Sequence, residues 1–357
     1  MPRILTYASA IREATEQLMI KDKRVFVIGE GVSDPKGIFG TTLGLSERFG
    51  RQRVIESAVA ESSTAGICIG ASLLGLRPIL THQRVDFSLL SFDQLVNNAA
   101  KWYYMFGSKA PVPLVIRMII GRGWGQGSQH SQSLQAIFAH IPGLKVIMPV
   151  TPYDVKGLLI SAVFNDNPVI FIEHRWLYNL KGYVPEGIYK TPLGKGKIMV
   201  KGDSLTVVAV SYTTVESLKA ISILKRQGLS IELIDLRSIK PWDEKLIIDS
   251  VKKTGRLLVI DTGHISFGIG GEIVSKVTRS AFSFLKQAPE IIALPDVPTP
   301  TSYRTAQNYY PGPAEIGRKI LTMLSVGKKT TADIMKMPQW KTTHPNDIPD
   351  PDFTGPF

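Results

Sequence analysis

Two α/β domains, each built on a mostly parallel sheet, are what this 357-residue sequence predicts. Three observations lead there. The chain is longer than a single hydrophobic core usually serves, since cores stop growing at roughly 250–300 residues. Short apolar runs alternate with segments of helical periodicity, the pattern of strands joined by helical crossovers. That alternation breaks at 181–197, a stretch rich in glycine and proline without periodicity, and then resumes.

In the first half, Ala8, Ile11, Ala14 and Leu18 recur at helical spacing over 7–20, and 24–28 reads as a buried strand ending at Gly29. Segment 61–76 has helical length but is crowded with Ala65, Gly66, Gly70, Ala71 and Gly75. Glycines weaken a helix, so several together imply close backbone packing. Apolar runs at 112–116, 144–148 and 169–172 read as strands, with a helix over 152–163 between the last two. The second half continues as strand 205–210, helix 215–226, strand 230–235, helix 243–253, strand 256–260 and helix 271–281. The predicted domains are 1–184 and 200–325, joined by a linker at 185–199. From 326 to 357 the chain turns polar and proline-rich, with Trp340 and Phe353 among the prolines, which predicts either an extended tail lying on a neighbour with its aromatics anchored or a disordered one.

Composition narrows the function. A hydrophobic content of 44% with 20% charged residues is that of an ordinary globular protein. No apolar run reaches the length of a membrane span, and segment 1–17 lacks the apolar core of a signal peptide, so no membrane role is expected and the expected location is cytoplasmic. A lone cysteine, Cys68, excludes a disulfide framework and a cysteine-based zinc cage. The net charge of +12 divides evenly about residue 184, with no basic tail or block of the kind nucleic-acid binders carry. An acidic protein partner or an anionic substrate accounts for that charge equally well.

Several segments carry a resemblance. Arg53-Val-Ile-Glu-Ser-Ala-Val-Ala-Glu61, Ala65-Gly-Ile-Cys-Ile-Gly-Ala71, Gly75-Leu-Arg-Pro78 and Phe92-Asp-Gln-Leu-Val-Asn-Asn-Ala-Ala-Lys101 come first. Gln129-His-Ser-Gln132, Pro142-Gly-Leu-Lys-Val146, Asp154-Val-Lys-Gly157, Asp166-Asn-Pro168 and Asp296-Val-Pro298 follow in order. Together they resemble the beta subunit of the decarboxylating component of 2-oxo acid dehydrogenase complexes, a relative of the transketolases. The resemblance implies a pyrimidine-binding transketolase-like domain followed by a transketolase C-terminal-like domain. It also implies thiamine diphosphate as cofactor.

The resemblance assigns roles to particular residues. Glu61 is the counterpart of the carboxyl that hydrogen-bonds the cofactor's aminopyrimidine ring, a role favoured by partial desolvation and a raised pKa. Read alone, Glu61 is a carboxylate at a helix N-terminus, favourable to the dipole. Phe87 aligns with an aromatic stacking on the pyrimidine, or else simply packs in the core, and Val59 and Gln83 align with its neighbours. His130 follows a glycine-rich stretch, 121–127, and aligns with a histidine of the substrate channel, able to shuttle a proton or donate to an oxyanion; its bland alternative is a loop histidine satisfied by backbone. Around the cofactor the sequence departs from the pyruvate dehydrogenase pattern with His82-Gln-Arg84, which suits an anionic or polyhydroxylated substrate. Arg122 and Trp124 are expected to shape the channel. Backbone oxygens of Leu114, Ala162, Val163, Asn165 and Asn167 correspond to a monovalent cation site, K+ in the family.

Other motifs carry less. Gly268-Ile-Gly270-Gly271 lacks the strand-loop-helix context and ribose-binding acid of a dinucleotide site. His140, His174 and His264 do not have metal spacing. The Gly-Asp-Gly and downstream asparagine by which the family holds Mg2+ and the diphosphate are missing, Gly202-Asp-Ser204 being the nearest approach. The resemblance therefore implies an alpha-type partner subunit that holds the metal and diphosphate, in an α2β2 assembly, with a lipoyl acyltransferase core as a further partner. The expected activity is decarboxylation of a 2-oxo acid with acyl transfer. Alternatives are transketolase-like ketol transfer or carboligation, and, from another class, a catalytically silent scaffold subunit. Retention of Glu61 and His130 favours an enzyme.

Overall fold

The computed structural model describes residues 3–123 and 126–340. The first half runs β1 (Ile4–Thr6), α1 (Tyr7–Lys21), β2 (Val25–Gly29), α2 (Leu45–Phe49), β3 (Val54–Glu56), α3 (Glu61–Leu73) and β4 (Arg77–His82). It continues through α4 (Ala100–Met105), β5 (Val115–Ile120), α5 (Gln135–His140), β6 (Lys145–Ile147), α6 (Pro152–Val163), β7 (Val169–His174) and β8 (Lys181–Tyr183). The second half runs β9 (Lys197–Val200), β10 (Leu205–Ala209), α7 (Tyr212–Lys225), β11 (Ile231–Asp235), β12 (Ser238–Lys240), α8 (Glu244–Thr254) and β13 (Leu257–His264). After these come α9 (Ile269–Ala281), β14 (Glu290–Leu294), α10 (Tyr303–Ala306), α11 (Pro313–Met323) and α12 (Lys328–Met335).

The predicted class holds: two α/β units with mostly parallel sheets. The first sheet has seven strands in the order β12-β6-β7-β5-β4-β2-β3, parallel except for β12. The second has five in the order β14-β13-β10-β11-β9, parallel except for β9. Alternation along the strands explains the layering. Val25 and Val27 of β2, with Val169 and Phe171 of β7, face a core closed by α1 and α6. Phe26, Ile28, Ile170 and Ile172 face the other way, onto α3, α5 and residues of the second unit such as Val208, Ile247, Ile273 and Val277. A strand buried on both faces must be apolar at every position, which is why these runs read as continuous. On its far face the second sheet packs α7, α11 and α12 through Leu205, Val207, Ile221 and Ile320.

Local chemistry supports the helices. Thr6 caps α1 by accepting from Ser9 N, and Thr151 caps α6 by accepting from Asp154 N with Pro152 in the first turn. Two expectations need correction. The strand expected at 112–116 lies at Val115–Ile120, because Pro111 and Pro113 have no amide to give to a ladder. The stretch read as an aperiodic break is partly ordered: Lys181–Tyr183 pairs antiparallel with β1, and Lys197–Val200 forms the edge of the second sheet. The two units are also stitched together, since β12 returns from the second half to pair with β6 of the first sheet.

The expected extended or disordered tail is also corrected, for residues 328–340. Lys328–Met335 is helical, and Trp340 is buried against Gly317 of α11, with its indole Nε1 donating to the Ile334 carbonyl at 2.8 Å. A side chain at Gly317 would lie 2.3 Å from the Trp340 ring, so that glycine makes the dock. The aromatic anchors on its own domain, not on a neighbour. Phe353 and the prolines beyond Trp340 lie outside the described residues. Trp340→Ala is accordingly expected to destabilise the second unit by about 3–5 kcal/mol, the usual cost of emptying a large buried aromatic site. Urea unfolding followed by circular dichroism checks this; a loss under about 0.5 kcal/mol would mean the ring is not part of the core.

Candidate functional site at the carboxyl edge of the first sheet

In the parallel part of the first sheet the strands end on one side, and ligands of such sheets bind in the crevice outside those carboxyl ends. Glu30 follows β2, Glu56 ends β3, His82 ends β4, the glycine loop follows β5, His174 ends β7 and Arg175 follows it. Residues far apart in sequence thereby meet along one edge.

Its acidic end is built from three carboxyls. Glu61, the first residue of α3, is 5% exposed, and its Oε1 is buried with no hydrogen-bond partner. It sits beside Glu30, whose carboxyl is pushed up first by burial, then by the Glu61 charge and a hydrogen bond with Glu61, and then by Glu56. Glu56 itself is occupied, accepting from Gly31 N, and from Ser33 N at 3.0 Å and Ser33 Oγ at 2.7 Å. Gln83 Nε2 donates to the Glu30 carbonyl at 3.0 Å. That contact needs Gly31, which has φ of +72° and whose added Cβ would lie 2.2 Å from Gln83 Nε2. A dipole-stabilising glutamate would face water. Glu61 does not.

In the turn after β4, Phe87 lies with its ring centroid 5.5 Å from that of His130, and the His130 Nδ1 is 2.9 Å from Asp86 Oδ2. Asp86 orients the imidazole and leaves Nε2 for other partners, the arrangement by which a carboxylate sets a histidine tautomer. Val59, two residues before Glu61, is exposed. Glu61 and Gln83 thus both meet Glu30, while Phe87 and Asp86 both meet His130.

Other candidates behave differently. His82 is buried, bonded to Ser91 Oγ at 3.3 Å, and burial lowers its pKa to about 4. It is a neutral core imidazole, not a channel group. Arg122 is buried too, with Nε and Nη2 donating to the carbonyls of Gln126 and Thr301 at 3.1 and 2.5 Å; it braces the glycine loop against the second unit. Trp124 lies outside the described residues. Arg84 is buried, with its guanidinium over the Phe39 ring. Of the expected cation ligands, Val163 and Asn165 carbonyls accept Arg77 Nη1 at 2.8 and 3.3 Å, and Leu114 O accepts Val169 N. Ala162 O accepts Asn165 N, while Asn167 N donates to Asn165 Oδ1. A guanidinium already brings positive charge to two of those five positions. Among the described residues no cluster of His, Cys, Asp or Glu could hold a metal ion, and no helix is long and apolar enough to cross a membrane.

Sequence reasoning missed Glu30 and Asp86. Glu30 had a signal, an acid flanked by glycines directly after a buried strand. Asp86 had none, since its value depends on the histidine that the fold brings beside it.

Two family descriptions match the chain: transketolase, pyrimidine binding domain, over 4–181, and transketolase, C-terminal domain, over 194–316. The pyruvate dehydrogenase E1 component subunit beta of Rickettsia felis is 40% identical over 87% of this chain and 96% of its own length. The beta subunit of acetoin:2,6-dichlorophenolindophenol oxidoreductase from Cupriavidus necator is 39% identical over 92% and 100%. Among solved structures, a split-gene transketolase described as an inactive beta4 tetramer aligns with a TM-score of 0.72 at 19% identity, covering 90% of this chain and 99% of that one, a likeness of fold.

The buried histidines set a pH dependence. Burial holds His82 at about 4, and burial with the neighbouring Arg175 charge holds His174 at about 3, against 6.5 when unfolded. Below about 6.5 the unfolded chain therefore binds more protons, so stability falls as pH drops from about 6.5 towards 4. Each residue contributes up to about 3 kcal/mol to that loss. Melting temperatures from pH 7.5 to 4.5 should fall less steeply for His82→Asn than for the wild type; identical slopes would show that His82 is already charged in the fold.

Proposed function

The chain belongs to the transketolase family, among the beta-type subunits of thiamine-diphosphate-dependent 2-oxo acid dehydrogenases and related enzymes, and on that premise we propose that Glu61 activates the cofactor's aminopyrimidine ring for 2-oxo acid decarboxylation and acyl transfer. One observation carries the assignment of the residue: the Glu61 Oε1 is buried, unpartnered within the chain, and beside a second carboxyl that favours keeping a proton. Such an oxygen suits a ring nitrogen brought by a ligand. Thiamine diphosphate, when bound, supplies the nucleophilic carbon that adds to a carbonyl. The chain's own residues do the rest of the work on this side of the cleft. Glu61 holds and exchanges a proton at Oε1, with Glu30 beside it disfavouring a second negative charge. Phe87 offers an aromatic face to the pyrimidine. His130, oriented by Asp86, is placed to give or take a proton on the substrate.

An alpha-type partner subunit belongs to this reading, since the residues that hold Mg2+ and the diphosphate are not in this sequence. We place the cofactor between the two subunits, in an α2β2 assembly that a lipoyl acyltransferase core would serve. The scaffold alternative is disfavoured by the arrangement of Glu61, Glu30 and the Asp86–His130 pair, none of which a silent subunit needs.

Glu61→Gln should keep the fold and the assembly while lowering turnover of 2-oxo acids by at least about 100-fold, because an amide cannot exchange the proton. Turnover near wild type in the assembled complex would remove Glu61 from the chemistry. The isolated chain should show no magnesium-dependent binding of thiamine diphosphate by calorimetry; tight binding there would contradict a site shared with a partner.

A further inference from the structure

His130 rides on a segment that the first unit does not hold by itself. Its ring is met by Asp86 and Phe87, but the chain on either side of it is tied to the second unit. Upstream, Ser128 Oγ donates to the Thr299 carbonyl at 2.9 Å, and a side chain on Gly127 would lie 2.5 Å from Thr301 Oγ1. Downstream, Gln135, the first residue of α5, is fully buried, and its Nε2 donates to Asp261 Oδ1 at 2.8 Å and to Thr262 Oγ1 at 3.3 Å. Ser133 Oγ completes the cluster, donating to Gln135 Oε1 at 2.8 Å and reaching Thr262 Oγ1 at 3.3 Å. Asp261 and Thr262 lie towards the carboxyl end of β13, in the second sheet.

A carboxyl is a costly way to join two units. Asp261 is 1% exposed, and burial pushes its carboxyl up against the bonds from Gly263 N and Gln135 that favour its charge. Elsewhere the units share an apolar core that includes Phe138, Val208, Ile247 and Ile273. Apolar burial is non-directional, so it joins the units without fixing one side chain against another, whereas a hydrogen bond sets both a distance and an angle. The backbone is shaped around this bond. A Cβ on Gly263 would lie 2.7 Å from Gln135 Nε2 and 3.3 Å from Asp261 Oδ2, and one on Gly268 would also lie 3.3 Å from that oxygen.

We propose that Asp261 is a positioning residue: through Gln135 and Ser133 it fixes the segment that carries His130, and so sets where the His130 Nε2 stands, a role that rests on the thiamine-dependent reading of His130 above. Asp86 holds Nδ1 from the first unit and Asp261 holds the chain from the second, so the imidazole is located by both. Ser131, next to His130, is buried, which leaves the stretch up to Gln135 little freedom to absorb a shift at one end. A group that exchanges protons with a substrate loses on the order of 100-fold in rate when displaced by about 1 Å. The second unit therefore enters the chemistry by placing a group that it does not itself supply.

The test exchanges the two ends of the bond. Gln135→Glu sets a carboxylate against Asp261, and adding Asp261→Asn restores an amide–carboxylate bond with donor and acceptor reversed. In the assembled enzyme, Gln135→Glu is expected to lower kcat about tenfold or more with KM changed by less than about threefold, and the exchanged pair to recover most of that loss. A bond that only joins the units would lower the melting temperature and leave kcat unchanged. No loss of kcat, or a loss that the exchanged pair does not recover, overturns the proposal. Should Gln135→Glu not fold, Gln135→Met removes the bond without adding charge and carries the same expected loss of kcat. A second readout needs neither cofactor nor partner. Proton–nitrogen correlation spectra of the full chain at pH 8, with His130 assigned by His130→Gln, report which ring nitrogen carries the proton. Nδ1 should carry it in the wild type and in the exchanged pair, and Gln135→Glu should mix the two tautomers; the same tautomer in all three overturns the proposal. If the tautomer follows the pair but the assembled complex turns over no 2-oxo acid, the thiamine-dependent reading fails and the hold of Asp261 on His130 stands. If turnover depends on Glu61 while kcat and tautomer ignore Gln135→Glu, the positioning role alone fails.

Discussion

Burial of the first sheet on both faces is the constraint from which the rest of the molecule follows. Strands β2, β4, β5 and β7 present apolar residues alternately to the α1–α6 layer and to a core shared with the second unit. A sheet covered in this way must be fed by crossovers, so its central strands run parallel and share a carboxyl edge. Ligands of parallel sheets bind outside the carboxyl ends of the strands, and the chemistry collects there. The site is a consequence of the layering.

Along that edge the charge is polarised. Glu56, Glu30 and Glu61 gather around β3, β2 and the start of α3, whereas Arg84 and Arg175 flank β5. Beneath the basic end, Arg117 of β5 and Glu173 of β7 form a fully buried pair joined by Thr41 and Tyr178 hydroxyls. Such a pair adds little net stability, but breaking it would leave a buried charge uncompensated. It keeps both Glu173 oxygens occupied.

The second unit holds the edge in place more than it contributes groups to it. The Asp154-Val-Lys-Gly157 motif shows how. Asp154 accepts from Arg237 Nη1 at 2.8 Å and lies 3.4 Å from Lys197 Nζ, both from the second half. Lys156 is buried against Glu13 and the Pro185 carbonyl, and Gly157 leaves room for Thr191, whose Oγ1 would be 2.2 Å from an added Cβ. Arg122, reaching Thr301, does the same for the glycine loop. One motif therefore pins the connecting segment and the second sheet to the first.

The periodicity of the sequence by itself determined the fold class and most of the longer helices, because each element's burial is written in its own residues: the cap and proline of α6 place its start at the residue. Glu61, Phe87 and His130 were legible through collinear resemblance, and Glu61 also through its small, apolar surroundings. Only the tertiary structure decided that Glu30 stands beside Glu61, that Asp86 holds His130, that His82 is a neutral core residue, and that Arg84 and Arg175 share one ring. It also decided the return of β12 to the first sheet and the docking of Trp340 on α11. These are meetings between segments tens to hundreds of residues apart, set by strand order and not by spacing, and a local pattern has no means of recording them.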